Sequence, residues 1–122
     1  MDIYVGHSSS YDFQERLYSP LKESKIFRKH NVVLPHETES LFDSKSFFQE
    51  KCDLFIAEVS EASTGLGIEL GWADLFDVEI ILISEKEITV SSSLKALDAE
   101  HIKYENPDEI IEIVNSKIED KK

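Results

Sequence analysis

The sequence has one cysteine, Cys52, with three prolines and four glycines among its 122 residues. A single thiol excludes an internal disulfide and any cysteine-based metal cluster, and it suits a reducing, cytoplasmic setting. No apolar run approaches the ~18–20 residues that a membrane span needs. The first ten residues, MDIYVGHSSS, enter a strand-like run with no basic segment and no cleavage-like site, so a secretory signal is not expected. Positive charge is scarce: 13 Lys and Arg face 25 Asp and Glu, for a net charge of −12. Such a surface repels nucleic acid polymers and anionic membranes, which leaves neither as an expected partner. A small anion stays within reach, because backbone N–H groups hold a phosphate locally whatever the net charge. Repeats, low-complexity tracts and linkers are also missing, so a single domain over residues 1–122 is expected.

What is present is alternation. Five apolar, β-branched runs recur: Ile3-Tyr4-Val5, Asn31-Val32-Val33-Leu34, Leu54-Phe55-Ile56-Ala57, the run 78–83, and the short, edge-like His101-Ile102-Lys103-Tyr104. Helical patterns fill the gaps. Residues 11–27 carry Phe13, Leu17 and Leu21 on one face, with Ser19-Pro20 read as an N-cap and first-turn proline that starts a second segment. Leu41, Phe42, Phe47 and Phe48 predict a helix leading to Cys52, and further helices are expected over 66–76 and 91–98. The last begins at Asn106-Pro107 and carries a stripe of Ile110, Ile111, Val114 and Ile118. Strict β/α alternation predicts a small doubly wound α/β domain of flavodoxin-like type: a five-stranded parallel sheet in three layers. Ligands of such a sheet bind beyond the strand C-termini, near the point where strand order reverses.

Two loops therefore carry the chemistry. After strand one comes Gly6-His7-Ser8-Ser9-Ser10; after strand three comes Ser63-Thr64-Gly65-Leu66-Gly67-Ile68-Glu69-Leu70-Gly71. Glycines there permit close approach of backbone to a ligand. Glu69 stands in an apolar frame of Leu66, Ile68, Leu70 and Trp72. It reads either as a desolvated nucleophile or general base, or as a solvated carboxylate favoured near a helix start. Glu58 ends strand three and reads as a hydrogen-bonded structural carboxylate or a pocket-facing one. His36, at the end of strand two, is a candidate pocket residue. No Cys, His or carboxylate set has metal-ligand spacing, so no metal and no cofactor are expected. Trp72 and Phe76 read as core or interface aromatics.

The run Asp53-Leu54-Phe55-Ile56-Ala57-Glu58-Val59, followed by Ser63-Thr64-Gly65-Leu66-Gly67-Ile68-Glu69-Leu70-Gly71-Trp72-Ala73, resembles the signature of the nucleoside 2-deoxyribosyltransferase superfamily, which includes 2′-deoxynucleoside 5′-phosphate N-hydrolases. Ile3-Tyr4-Val5-Gly6 resembles its first strand and glycine turn. The resemblance follows the element order over nearly the whole chain and is specific around residues 53–73. It implies cleavage of an N-glycosidic bond, with Glu69 as the glutamate that attacks the anomeric carbon, parallel to retaining glycosidases. It implies Tyr4 as the residue orienting Glu69, and Asp43 as an acidic group near the base, where the alternative is a helix cap. Serine at position 63, where transferases on free nucleosides carry aspartate, implies a 5′-monophosphate substrate held by Ser63, Ser8 and Ser9. The first loop lacks the arginine by which the hydrolases meet phosphate, and His7 is its only candidate replacement. The resemblance further implies a homodimer in which a serine, Ser92 or Ser93, completes the neighbouring site.

Two other classes fit parts of the same sequence. Ile3-Tyr4-Val5-Gly6-His7-Ser8-Ser9 is also similar to the first strand of Toll/interleukin-receptor-like domains, some of which cleave NAD at its glycosidic bond. A non-catalytic module that binds nucleotides or a protein partner is the third, since this architecture hosts many functions.

Overall fold

The structure is a computed structural model that describes residues 1–37 and 42–121. Five strands, β1 (Asp2–His7), β2 (Asn31–Val33), β3 (Leu54–Glu58), β4 (Glu79–Glu85) and β5 (Ala99–Tyr104), form one sheet in the order β2-β1-β3-β4-β5. Every pairing is parallel. The three-layer, doubly wound α/β architecture of the sequence reading is the one observed. Among the described residues no helix is long and apolar enough to cross a membrane.

The pleat sorts the apolar residues between two cores. Ile3, Val5, Leu54, Ile56, Ile81 and Ile83 point to one face. There they meet a π-helical turn (Gln14–Tyr18), α1 (Ser19–Glu23), α2 (Lys25–Lys29) and the stripe Ile110, Val114 and Ile118 of α5 (Pro107–Asp120). Tyr4, Phe55, Ala57, Ile80 and Leu82 point to the other. They pack on Phe47 and Phe48 of α3 (Ser44–Glu50) and on Leu66, Leu70 and Ala73 of α4 (Thr64–Leu75). The central strands read as continuous apolar runs because both faces are covered.

Local chemistry sets the element ends. Ser63 and Asn106 cap α4 and α5, their side chains accepting from Leu66 N–H and Glu109 N–H. The break in the first helical region falls at Ser24, which is extended (φ −85°, ψ 163°), and not at Ser19, which is helical and continuous with the π turn before it. The expected helix over 91–98 is a 3-10 turn, Ser92–Ala96. Its three consecutive serines compete with the backbone for hydrogen bonds, and Ser91 accepts from Ser93 N–H. Helix α3 starts at Ser44; Leu41, expected on it, lies outside the described residues.

Candidate active site

The order β2-β1-β3 makes the C-terminal ends of β1 and β3 the point where the chain's winding reverses. A cavity of about 950 Å³ opens there, within the range usual for small-molecule sites. Tyr4, His7, Ser9, Asp43, Ser63, Gly65 and Glu69 line it, together with His36, Phe42, Ser44, Lys45 and Trp72.

Tyr4 and Glu69 arrive from different elements. Tyr4 lies on β1, its ring edge-on to Phe48 (5.0 Å) and Phe55 (5.2 Å). That packing fixes the hydroxyl, which donates to Glu69 Oε2 across from α4. Ser44, at the start of α3, lines the cavity beside the same pair and favours the ionised form of each. Desolvation raises the Glu69 pKa above the usual carboxylate range, although the Tyr4 hydrogen bond, Ser44 and the charge of His36 pull it back down. Burial and the facing carboxylate push the Tyr4 phenol up, so it stays protonated and remains a donor. The result is a half-buried carboxylate, more basic than one in water, with one oxygen fixed by a phenol.

His7 is 6% exposed, and both of its ring nitrogens are engaged. Nδ1 lies 2.8 Å from the carbonyl oxygen of Ser8, which can only accept, so Nδ1 carries the proton. Nε2 therefore accepts from the Tyr18 hydroxyl at 2.8 Å, and Tyr18 Oη accepts from His36 N–H at 3.1 Å. Burial lowers the His7 pKa to about 4, so the ring is neutral near pH 7. This corrects the idea that His7 replaces a phosphate-binding arginine. It stacks on Phe13 (4.4 Å) and presents an uncharged wall.

Asp43 lines the cavity and also caps α3. Its carboxylate accepts from Ser46 N–H (3.2 Å) and from Ser46 Oγ–H (2.9 Å), which hold its pKa below the usual range. A carboxylate held ionised is an acceptor, not an acid.

The other expected residues separate. Ser9 is exposed at the rim. Ser63 Oγ accepts from Leu66 N–H at 3.4 Å, which leaves its own proton free to donate. Gly65 faces the cavity with open space where a Cβ would stand. Ser8 is buried beneath its loop and bonded to Ser10 Oγ at 2.9 Å, away from the lining. Gly6 serves packing: a Cβ there would lie 2.7 Å from Phe55 Cε1 and 3.0 Å from Leu66 Cδ1. Gly67 is exposed on α4 outside the lining, and no glycine has positive φ, so the expected glycine-made turn is simply the start of α4. Ser93 is exposed and does not line this chain's cavity. Trp72 does line it, half-buried, with Lys45 Nζ 5.9 Å from its ring centroid. Ser44 and Lys45 were not foreseen, because nothing in their spacing marks them. Among the described residues no group of three or more His, Cys or carboxylate side chains is placed to hold a metal ion.

No protein-family model matches the chain, and no curated protein matches it by sequence. A solved structure, "Structure of Clostridium botulinum CMP N-glycosidase, BcmB", is similar with a TM-score of 0.65 and 21% identity, over 92% of this chain and 98% of that chain. At that identity the likeness is one of fold.

Proposed function

We propose that this chain cleaves the N-glycosidic bond of a nucleoside 5′-monophosphate, with Glu69 as nucleophile. The observation that carries the reading is the Tyr4–Glu69 pair: a desolvated carboxylate, oriented by a phenol, in a cavity at the winding reversal. The similar CMP N-glycosidase fold and the resemblance around residues 53–73 support it.

Glu69 attacks the anomeric carbon from the face opposite the base. The carbon–nitrogen bond breaks, its electron pair leaves with the base, and the base takes a proton from solvent. Positive character at the anomeric carbon is met by the carboxylate, which forms a glycosyl ester. Water then attacks the same carbon, loses a proton and frees Glu69; a second base in place of water gives transfer. Tyr4 and Ser44 hold the carboxylate in line and stabilise it each time it is released. Asp43 accepts a hydrogen bond at the rim, near the departing base. Ser9 and Ser63 hydroxyls, with the N–H groups at the start of α4, take the 5′-phosphate, which suits a site without an arginine.

We infer further that the active unit is a homodimer. Ile68 at the cavity edge is 50% exposed, and Leu75, seven residues on along α4, is 70% exposed. The resemblance around residues 53–73 implies that a second copy contributes its own Ser92 or Ser93 to the site, and that exposed strip is the surface we assign to it. Sedimentation is expected to give twice 14.0 kDa, and Leu75→Asp to give a monomer with weakened activity.

The test of function is base release followed by chromatography. Ribo- and deoxyribonucleosides, their 5′-monophosphates and NAD are each supplied, with and without an acceptor base. Release from a monophosphate without acceptor is expected. Glu69→Gln should lose at least about 100- to 1,000-fold in rate, or ~3–4 kcal/mol of transition-state stabilisation. Nicotinamide release from NAD alone would favour the Toll/interleukin-receptor-like alternative. Ligand-induced stabilisation without turnover, unchanged in Glu69→Gln, would favour a binding module.

A further inference from the structure

A second carboxylate lies buried on the sheet face opposite Glu69. Glu58, the last residue of β3, is 1% exposed. A carboxylate out of water must have its lone pairs satisfied, and here they are satisfied by particular loops. Oε1 accepts from Ser60 N–H at 2.6 Å, and Oε2 accepts from Ser60 Oγ–H at 3.1 Å and from the Tyr104 hydroxyl. Ser60 Oγ also accepts from Glu85 N–H at 2.8 Å. Tyr104 has spent its one proton on Glu58, so Tyr11 donates to Tyr104 across 2.5 Å.

The groups around Glu58 come from every neighbouring element. Arg16 of the π turn lies 3.3 Å from Glu85 at the end of β4, and its charge favours the ionised form of the Tyr11 phenol. His7 stands beside Glu58 in the β1–β3 register, with its ring nitrogens engaged elsewhere. The arrangement is not an ion pair that holds two helices together. It is a chain of single hydrogen bonds from residues 8–12, through β5, to residues 59–63. Those two loops bring Ser9 and Ser63 to the cavity. At the surface they are joined again, Ser10 Oγ donating to Glu61.

We propose that Glu58 is a positioning residue: through Ser60, Tyr104 and Tyr11 it clamps together the two loops that hold Ser9 and Ser63 in place for substrate. The proposal rests on the function assigned above for what the loops bind, but the clamp itself is measurable without substrate. An apolar side chain of similar volume would fill the same space and remove the buried link between the loops, leaving the exposed Ser10–Glu61 bond, so packing alone does not account for the carboxylate.

The test uses Tyr104→Phe, which keeps the ring and removes the donor to Glu58 and the acceptor of Tyr11. Amide hydrogen exchange is read on the free protein. Amides in residues 8–12 and 59–63 are expected to exchange about tenfold faster, while those of β1, β3 and α4 stay unchanged. KM for a 5′-monophosphate should rise about tenfold with kcat within about twofold, because Glu69 and Tyr4 are untouched. Tyr11→Phe, which cuts only the outer link, should loosen residues 8–12 alone, and it carries the test if Tyr104→Phe does not fold. Unchanged exchange in both loops, or a fall in kcat at constant KM, overturns the clamp. A wild-type protein inactive on every substrate would overturn the proposed function, while the exchange data would still decide the clamp.

Discussion

At the scale of single residues, the site turns on how far one carboxylate is desolvated. Tyr4 draws the Glu69 pKa down against the rise caused by burial. Removing that phenol lets the pKa climb, so the acid limb of kcat/KM for Tyr4→Phe should move to higher pH than in wild type. A profile with an unmoved acid limb would mean that the hydroxyl does not tune Glu69. The same shift has a consequence for stability. The folded state binds the Glu69 proton more tightly than the unfolded chain does, so this group's contribution falls as pH rises from the ordinary carboxylate range through the raised folded value. Glu69→Gln should therefore melt above wild type at pH 8, and the gap should close towards pH 4, as read by calorimetry. Glu69 was legible because a lone carboxylate in a frame of Leu66, Ile68, Leu70 and Trp72 is conspicuous. Ser44 was not. It is one of three serines in a stretch of seven residues, and only the docking of α3 against α4 turns it towards the carboxylate. His7 was legible as a pocket candidate after the first apolar run, but not as the neutral last residue of β1, since its tautomer depends on Tyr18 and the carbonyl of Ser8.

At the scale of elements, caps and close contacts decide what the chain can bear. Gly6 stands where β1 passes under Phe55 and Leu66, and a methyl group there must displace a ring that has little room to move. Gly6→Ala should cost about 1–3 kcal/mol in chemical denaturation. A neutral result would show that Phe55 can swing aside. Asn106 closes the first turn of α5, and Asn106→Ala should cost about 1 kcal/mol. The start of α5 could be read in advance, because Asn-Pro followed by an apolar stripe announces it. The break in the first helical region could not. Pro20 marks a helix start, but the chain enters it already helical through the π turn. That turn buries Leu17 and Tyr18 side by side, and tertiary packing outweighs the local signal. Residues 91–98 erred the other way, being too rich in serine to sustain the helix that Leu94 and Leu97 suggest.

At the scale of the whole molecule, the net charge of −12 is a standing self-repulsion. Salt screens it, with a Debye length that shrinks from about 30 Å at 0.01 M to about 8 Å at 0.15 M. The melting temperature should accordingly rise across that range, and a fall would mean that ion pairs such as Arg16–Glu85 outweigh the repulsion. Overall architecture was the most legible level, since alternation of runs and turns fixes a parallel sheet whatever the individual side chains do. The sheet order also bears on how the protein is made. Strand β1 is an interior strand, bounded by β2 on one side and β3 on the other. As the chain leaves the ribosome, its first strand can meet β2 early but must wait for Leu54 and its neighbours before its other edge closes. During that interval Ile3, Tyr4 and Val5 form an unpaired apolar edge, so a nascent chain stalled before residue 54 exposes the kind of edge on which aggregation starts.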